Sequence, residues 1–265
     1  MNRVRLDKQL QAAPVATVEG VVGASGVTGA KLGGEPWWTL SVELEAWRIA
    51  GGPLQNGSLH LRGKGNDAML AEHRHIAKPY SVVRMNARLM MDTGSGHPEA
   101  WIEDVAPLVG DAGLTERSAQ LQRPVTHEDE LFGICTLDKR VNWFHAEAPW
   151  NGSKIKVWFE ADWEALPATL RVAHELWKDA AEWHHRILDC AVSGLLGLKN
   201  DTWLDEDEEP ISADEFKRRM AIEVVNIDKD GGFSFQFGDD DMFFGHSIMV
   251  SGTLGDGPTE ANIAG

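Results

Sequence analysis

The residues best suited to metal binding lie in one helical stretch of the second half of the chain. Glu182, His185 and Asp189 are separated by three and four residues, so a helix places them on one face. A Glu-x-x-His pair is one quarter of a carboxylate-bridged di-iron site, which also needs a second such pair and two further glutamates from other helices. Only one long helix is predicted here, and His174-Glu175 does not continue into the His-Glu-x-x-His zinc motif. We therefore predict no metal and no other cofactor.

His246 is the remaining candidate for acid–base chemistry. Gly245-His246-Ser247 enters a strand, where adjacent residues point to opposite faces, so His246 and Ser247 cannot form a base–nucleophile pair. A hydrogen-bonded core histidine that fixes the last strand is the commoner explanation. Cys135 alternates with apolar neighbours and is predicted to be buried, which disfavours a thiol nucleophile. No catalytic residue is assigned, and an enzyme of unrecognised class centred on His246 stays an alternative.

Negative charge is concentrated in the second half of the chain. The net charge is −16; residues 130–265 contain 12 basic and 26 acidic residues, whereas residues 1–129 contain 13 and 15. Such a surface repels nucleic acid and acidic membranes and attracts a basic partner. The residues predicted to bind that partner are two acidic runs and a nearby histidine: Asp205, Glu206, Asp207, Glu208, Glu209, Asp239, Asp240, Asp241 and His246. The alternative is that these charges only aid solubility and that 239–241 is an Asp-rich turn.

A smaller region of the first half is basic. Between residues 53 and 91, six basic residues stand against Asp67 and Glu72. Proteins that bind single strands combine a positive groove with aromatic side chains on which bases stack. The nucleic-acid candidates are Arg62, Lys64, Arg74, Lys78, Tyr80, Arg84 and Arg88, and Trp37 or Trp38 could add stacking.

The elements that position the basic residues have the order of a small barrel. Alternation and turn residues predict strands at 17–22, 37–47, 58–61, 80–91 and 100–105, with a short helix at 67–75. Three strands, a helix and two strands is the order of an OB-type barrel, a fold that commonly binds oligonucleotides or oligosaccharides. This resemblance covers residues 15–107 and depends on element order alone.

A long helix organises the second half. An apolar stripe predicts one helix over 166–204: Leu170, Ala173, Trp177, Ala180, Ile187, Ala191 and Leu195. His184 lies beside that stripe and is predicted to be a hydrogen-bonded core histidine. Strands are predicted at 131–137, 141–148 and 154–159 before this helix and at 224–227, 233–237 and 246–254 after it. Ser212-Ala213-Asp214-Glu215 is typical of a capping box and opens a second helix. The Gly/Pro-rich tail after Gly255 is predicted to be loose.

Several short motifs in this half resemble a known family. They are Phe132-Gly133 with Leu137-Asp138-Lys139, Val141-Asn142-Trp143-Phe144, Trp150-Asn151-Gly152, Leu198-Lys199-Asn200-Asp201-Thr202-Trp203-Leu204, Phe216 and Phe244-Gly245-His246-Ser247-Ile248. Over residues 130–265 the chain resembles the bacterial family catalogued as domain of unknown function 2262. The resemblance implies a bacterial α+β domain, and it implies no catalytic residue.

Together these observations predict an α+β protein of two domains. An OB-like antiparallel β-barrel occupies residues 1–107, a partly helical linker 108–129, and an acidic α+β domain 130–265, in which one long helix covers an antiparallel sheet. The leading hypothesis is a non-enzymatic binding protein that engages a basic protein partner through its acidic domain, as immunity proteins that neutralise toxins do. Nucleic-acid or oligosaccharide binding by the barrel is the alternative.

The same residues predict where the protein works. The longest apolar runs, such as 191–198, fall short of the ~20 residues that span a membrane. No apolar stretch follows the charged opening residues, so we predict no secretory signal. The two cysteines lie in apolar segments, which is typical of a reducing compartment. We therefore expect a soluble, cytoplasmic protein that does not bind membranes. The sequence does not give its oligomeric state.

Overall fold

The computed structural model describes residues 3–31, 33–94 and 96–264 and forms two compact units, Met1–Arg123 and Pro124–Gly265. Each unit has a hydrophobic core of its own. The stretch predicted as a linker, 108–129, is instead largely regular structure, because it contains a helix of the first unit and the first strand of the second. Its helix is short and weakly amphipathic, so its periodicity gave only a partial signal.

The first unit alternates strands with three short helices. Its elements are α1 (Arg3–Ala12), β1 (Val15–Val22), β2 (Thr28–Ala30), β3 (Trp38–Ile49), β4 (Leu59–Gly65), α2 (Asp67–Ile76), β5 (Val82–Met90), β6 (Glu99–Pro107) and α3 (Ala112–Gln122).

Five of these strands close into a barrel. The long β3 pairs with both β1 and β4, β4 pairs with β6, β6 with β5, and β5 returns to β1. With α2 between its third and fourth strands, this is the OB arrangement that the element order predicted. The barrel is mixed and not wholly antiparallel: β4 and β6 are parallel. Closure requires this. β6 runs in the direction of β1, because β5 is antiparallel to both of them. β4 also runs in the direction of β1, because β3 is antiparallel to both, so β4 and β6 are parallel where they meet.

Side-chain alternation explains which face of each strand is buried. On β3, Leu40, Val42 and Leu44 point into the barrel and are almost fully buried, while the residues between them are at least partly exposed. The helix α1, which the sequence did not predict, packs its buried Leu6 and Leu10 toward β5 and β6 on the outside of the barrel.

The second unit is a single sheet with helices. Its elements are β7 (Thr126–Asp129), β8 (Gly133–Asp138), β9 (Trp143–Trp150), β10 (Ser153–Phe159), α4 (Leu166–Lys178), α5 (Ala180–Thr202), α6 (Ala213–Arg219), β11 (Ala221–Ile227), β12 (Gly232–Gly238), β13 (Ser247–Thr253) and β14 (Gly257–Ala264).

The eight strands lie in the order β14-β13-β12-β11-β10-β9-β8-β7. The sheet was predicted to be antiparallel, but β10 and β11 are parallel. The three helices between them return the chain to the starting end of β10, and such a crossover makes the next strand parallel. The tail predicted to be loose is β14, which pairs with β13 along its length and places Ala261 against Gly194 of α5.

The predicted single helix over 166–204 is two helices. The chain breaks at Asp179, whose φ of −133° and ψ of 49° are not helical. Leu170 and Ala173 of α4 and Ile187 and Ala191 of α5 are all buried against the sheet, so the apolar spacing continues across the break and hides it. No helix among the described residues is long and apolar enough to cross a membrane.

Candidate nucleic-acid interface and acidic loops

The outer faces of β3 and β4 form the surface that OB barrels use for binding, together with the loops at 23–37 and 91–98. Cross-strand pairs set the layout of this surface: Thr39 lies opposite Lys64, Ser41 opposite Arg62, and Glu43 opposite His60. One ammonium, one guanidinium and two small hydroxyl groups therefore face outward in adjacent rows. We call this surface the barrel face.

Two tryptophans lie at the start of β3, where Trp37 is exposed at one end of the barrel face and Trp38 packs against the barrel core. The Trp37 side chain is 48% exposed, although large aromatic side chains are usually well covered. Trp38 is half-buried, and its indole Nε1 donates to Asp67 Oδ1 at 2.5 Å. The Lys31 Nζ lies 5.6 Å from the centre of the Trp38 ring, within the range of a cation–π contact. The exposed Trp37 precedes Thr39, the cross-strand partner of Lys64, by two residues, so aromatic surface and basic residues occur in the same part of β3 and β4.

The other end of the barrel face holds two histidines. The rings of His60 and His97 lie 5.6 Å apart, and the Thr93 hydroxyl donates to the His97 carbonyl at 2.8 Å. The His60 amide of β4 donates to the Pro98 carbonyl at 3.3 Å, so the loop that carries His97 is held against β4. His60 Nε2 lies 3.7 Å from the Glu43 carboxylate.

Most of the arginines predicted to bind nucleic acid are paired with carboxylates of the same unit. Arg62 lies 3.0 Å from Glu99 and 3.5 Å from Asp7 of α1. Arg84 donates to Glu19 and Arg88 to Glu103, each at 2.7 Å. Their positive charge is therefore largely neutralised within the fold.

Glu19 shows how tight this pairing is. Its side chain is 6% exposed and accepts hydrogen bonds from Arg84 and Arg48. These donors, with Arg84 the stronger, hold the pKa of Glu19 below its usual value even though burial opposes them. Arg48 also bonds Asp111, which caps the N-terminus of α3. This cluster stabilises the fold and does not face a ligand.

The other candidates of the first unit are divided between the surface and the fold. Lys64 and Lys78 are exposed, while the Arg74 Nε donates to the Val27 carbonyl at 3.4 Å. Tyr80 stands in the turn before β5 with a φ of 63°, and its carbonyl accepts from the Ser118 hydroxyl. We assign Tyr80 to the turn. Lys31 was not among the predicted residues, because it precedes the basic region of residues 53–91 in the sequence. The pairing of β2 with β3 brings it close to Trp38.

In the second unit, Arg219 brings the two acidic runs together. Its guanidinium contacts Asp240 Oδ2 at 3.0 Å and Glu208 Oε1 at 3.7 Å. Glu208 also accepts from Lys199, whose ammonium is fully buried and bonds the Trp203 carbonyl at 2.6 Å. The hydrogen bond from Lys199 is the main reason that the pKa of Glu208 lies below its usual value. Two of the nine predicted binding residues are therefore engaged in internal ion pairs.

Asp239 and His246 shape the loop between β12 and β13. Asp239 is buried, and its carboxylate accepts from the amides of Phe243 and Gly245 at 2.7 and 3.3 Å. His246 is half-buried, its Nδ1 lies 2.7 Å from the Phe243 carbonyl, and its ring lies 5.4 Å from that of Trp203. Because a carbonyl only accepts, Nδ1 carries the proton. No hydrogen bond of the described residues joins His246 to a hydroxyl, thiol or carboxylate.

The remaining acidic candidates face solvent beside an exposed aromatic ring. Phe244 is 53% exposed, has a φ of 55° and stacks at 5.3 Å on Trp203. The carboxylates around it are exposed: Asp205, Glu206, Asp207, Glu209 and Asp241. We call Phe244 and these five residues the acidic patch.

The helical residues considered for metal binding are dispersed. Asp189 is bonded to Lys217 and lies 3.2 Å from His185 Nε2, while His174 contacts Asp129. Among the described ranges, no three His, Cys, Asp or Glu side chains are placed to hold a metal ion. His184 is confirmed as a hydrogen-bonded core histidine: its Nδ1 accepts from the Trp150 indole at 3.2 Å, and burial lowers its pKa.

Solved structures with some similarity to this chain include DNA-binding proteins. The wild-type single-stranded DNA binding protein from Thermus aquaticus is 13% identical over 55% of this chain and 72% of that one, with a TM-score of 0.27. A deletion mutant of the same protein is 12% identical over 55% and 74%, with a TM-score of 0.25. The Ifi202 HINa domain in complex with 20-bp double-stranded DNA is 11% identical over 56% and 76%, with a TM-score of 0.20. TM-scores this low do not support a shared ligand, and the OB assignment rests on the strand pairing described above.

Two family models match the sequence itself. The first unit matches the model described as domain of unknown function (DUF7021) over residues 3–121. No curated protein matches the chain. The model for the family described as uncharacterized protein conserved in bacteria (DUF2262) matches residues 129–263, about half of the chain, as the motifs from Phe132 to Ile248 predicted. The chain belongs to this DUF2262 family.

Proposed function

We propose that the first unit binds single-stranded nucleic acid on the barrel face. The observation that supports this most is the exposed Trp37 at the start of β3, with Lys64 on the adjacent strand β4 and the Lys31 ammonium near the Trp38 ring. An exposed indole offers a flat surface to any base, and stacking contributes about 1–3 kcal/mol per base. The nearby ammonium groups are placed to neutralise the backbone phosphates.

The small number of unpaired cations limits the strength of this binding. Arg62, Arg84 and Arg88 already contact carboxylates, so they are poor partners for phosphate. If Lys31, Lys64 and one further cation neutralise about three phosphates, the logarithm of the affinity should fall with the logarithm of salt concentration with a slope of about −2. A protein that bound through all six predicted basic residues would show a slope of about −4.

The test is the binding of a fluorescein-labelled oligo(dT) to the full chain, measured by anisotropy at low salt. We expect Trp37→Ala to weaken binding about tenfold, because one stacked base is lost. Lys64→Ala should weaken it less and lower the salt slope by about 1. Arg84→Ala should have little effect on either, since that guanidinium is bound to Glu19.

Phe244→Ala is the matched control, because it removes a similarly exposed aromatic ring from an acidic setting. Its affinity for oligo(dT) should equal that of the parent protein. Absence of binding at low salt, or an equal loss in both aromatic variants, would reject the proposal. Binding of a neutral oligosaccharide with no binding of oligo(dT) would favour the other ligand class that OB barrels accept.

A second candidate function is the capture of a basic protein segment by the acidic patch. Phe244 favours it, because an exposed aromatic ring on a loop that also carries an exposed carboxylate suits a peptide that combines cationic and apolar side chains. The comparisons with known proteins offer nothing toward an immunity role. An arginine-rich peptide, titrated by calorimetry, should bind about tenfold more weakly to Phe244→Ser and to Asp207→Asn, and binding should weaken with salt. Glu164→Gln removes an exposed charge elsewhere and should change nothing.

The cytoplasm is the proposed location for both activities. Cys135 and Cys190 are free thiols, and burial raises the pKa of Cys135 to about 11 and raises that of Cys190. Such thiols are inert and suit a reducing compartment.

A further inference from the structure

A cleft in the second unit lies between α4 and the edge strand β7. It has a volume of about 440 Å³ and shares His174 and Lys178 with a neighbouring depression of about 350 Å³. Clefts of this size accept small molecules. The residues that line it are His127, Asp129, Pro167, Leu170, Arg171, His174, Glu175 and Lys178.

A His–Asp pair stands in this cleft. His174 Nε2 lies 3.0 and 3.1 Å from the two carboxylate oxygens of Asp129. Asp129 is itself fixed, because its Oδ1 also accepts from the backbone amides of Leu131 and Phe132 at 2.9 and 3.0 Å. These bonds hold the pKa of Asp129 below its usual value despite burial. The imidazole is thereby held in one orientation, and its side chain is still 30% exposed to the cleft.

The uncommitted hydrogen-bonding groups of the cleft are mainly donors. Arg171 is exposed on α4, one turn before His174, and no hydrogen bond or ion pair of its guanidinium occurs among the described residues. Lys178 gives one of its three protons to Glu175 at 2.5 Å and keeps two. The acceptors are more fully used, since Asp129 already receives three bonds.

Charge does not oppose the same type of ligand. Arg171 and Lys178 offset Asp129 and Glu175, so the lining is close to neutral. Residues 124–265 as a whole contain 12 basic and 28 acidic residues. The cleft is therefore a nearly neutral site on an acidic unit, with the exposed Arg171 guanidinium available and apolar Pro167 and Leu170 beside it.

We propose that this cleft binds the phosphate group of a small ligand such as a nucleoside monophosphate. The Arg171 guanidinium and the Lys178 ammonium contact the phosphate oxygens, because a planar guanidinium offers two parallel donors to an oxyanion. His174, which Asp129 holds in one orientation, lines the cleft and helps to position the ligand. The site is separate from the barrel face and does not depend on the nucleic-acid proposal.

Adenosine 5′-monophosphate, adenosine and inorganic phosphate are the probes, titrated into the full chain and followed by calorimetry and by the NMR signals of the histidine rings. We expect the monophosphate to bind at least about tenfold more tightly than adenosine, and to shift the His174 ring signals. Arg171→Ala should weaken its binding about tenfold, and Lys178→Ala should weaken it by a smaller factor.

Two control variants separate this cleft from other causes. Lys229→Ala removes an exposed charge that does not line the cleft and should leave the affinity within about twofold of the parent value. Trp37→Ala should also have no effect, which distinguishes this site from the barrel face. Equal affinity for adenosine, an unchanged affinity in Arg171→Ala, or no shift of the His174 signals at about 10 mM ligand would overturn the proposal.

Discussion

At the scale of single residues, the most consequential side chain is a lysine with no access to solvent. Lys199 bonds both the carbonyl of Trp203 and the carboxylate of Glu208, so it fixes the acidic loop to the end of α5. Its neighbour Asn200 fixes the far end of the same loop to α5. The Asn200 side-chain amide donates to the Ile211 carbonyl and accepts from the Ile211 backbone amide, each at 3.0 Å. The loop that holds the acidic patch is thus anchored by two adjacent residues of one helix.

Lys199→Met should lower the free energy of unfolding of the second unit by about 2 kcal/mol. Methionine fills the same buried channel but leaves the Trp203 carbonyl without a donor, and a buried unsatisfied group costs about 1–3 kcal/mol. Urea unfolding measures the change. Lys229→Met, at an exposed turn position, should stay within about 0.5 kcal/mol of the parent protein. Equal stability of the two variants would mean that the ammonium contributes nothing net.

Asp138 provides a pH-dependent contribution to stability. Its hydrogen bonds to the Arg140 side chain are the main cause that lowers its pKa to about 2, from an ordinary value of 3.8. Because the folded state binds the proton less well, this stability is present above pH 3.8 and is lost as the pH falls toward 2. Since Arg140 is 67% exposed, solvent screening reduces the effect to about 1 kcal/mol.

Arg140→Ala should therefore be less stable than the parent protein at pH 7, and the two should converge near pH 2. Urea unfolding at a series of pH values measures the difference. A difference that persists undiminished at pH 2 would show that Arg140 acts through packing and not through the charge of Asp138.

The sequence predicted the types of the candidate residues but not their partners. Arg62 looked available because its neighbours in the chain are uncharged, yet Glu99 and Asp7 reach it from another strand and from α1. Local charge counts cannot detect such pairs, because the partners are distant in sequence. The same reason explains why the His174–Asp129 pair was missed.

At the scale of elements, the helix α6 shows how far a capping motif predicts structure. Ser212 is the N-cap, and its hydroxyl accepts from the Glu215 amide at 3.2 Å. Glu215, however, does not complete the capping box, because its carboxylate binds Arg218. The motif therefore predicted the start of the helix correctly. Of the two hydrogen bonds expected in a capping box, the one accepted by Ser212 is present, whereas the Glu215 carboxylate binds Arg218 in the next turn.

Ser212→Ala should lower the free energy of unfolding by about 1 kcal/mol, since one helix-terminal amide loses its acceptor. Ser212→Asp is the matched control and should retain the parent stability, because its carboxylate can accept the same bond and suits the positive end of a helix. Thermal and urea unfolding check both. An alanine variant as stable as the aspartate variant would contradict a capping role.

Periodicity predicted strong elements and missed weak ones. The barrel strands alternate clearly, so their order and the OB topology could be inferred. The three-residue β2 and the polar α1 carry little pattern, and β14 begins at a glycine and a proline that are typical of loops. Strand β14 forms because β13 offers it a full edge, which is a tertiary effect that no local window contains.

At the scale of the whole molecule, charge divides the chain more sharply than the sequence halves suggested. The unit 1–123 contains 13 basic and 13 acidic residues and is neutral, whereas the unit 124–265 accounts for the whole excess of negative charge. A neutral barrel with exposed lysines on one face and an acidic unit with a nearly neutral cleft are suited to different ligands. The proposed sites therefore do not compete for one partner.

The separate cores predict that the units fold independently. The buried apolar residues of the barrel cluster all precede residue 124, and those of the sheet cluster all follow it. Fragments 1–123 and 124–265 should each show dispersed NMR spectra and one cooperative unfolding transition.

Leu44→Ala and Lys199→Met test this in the full chain. Leu44 is fully buried in the barrel, so its truncation should cost about 3 kcal/mol in the transition of the first unit and leave the second unit unchanged. Lys199→Met should lower the stability of the second unit and leave the transition of the first unit unchanged. If either substitution shifts both transitions equally, or if a fragment is unfolded, the units depend on each other for stability. The barrel face and the cleft would then be parts of one cooperative structure.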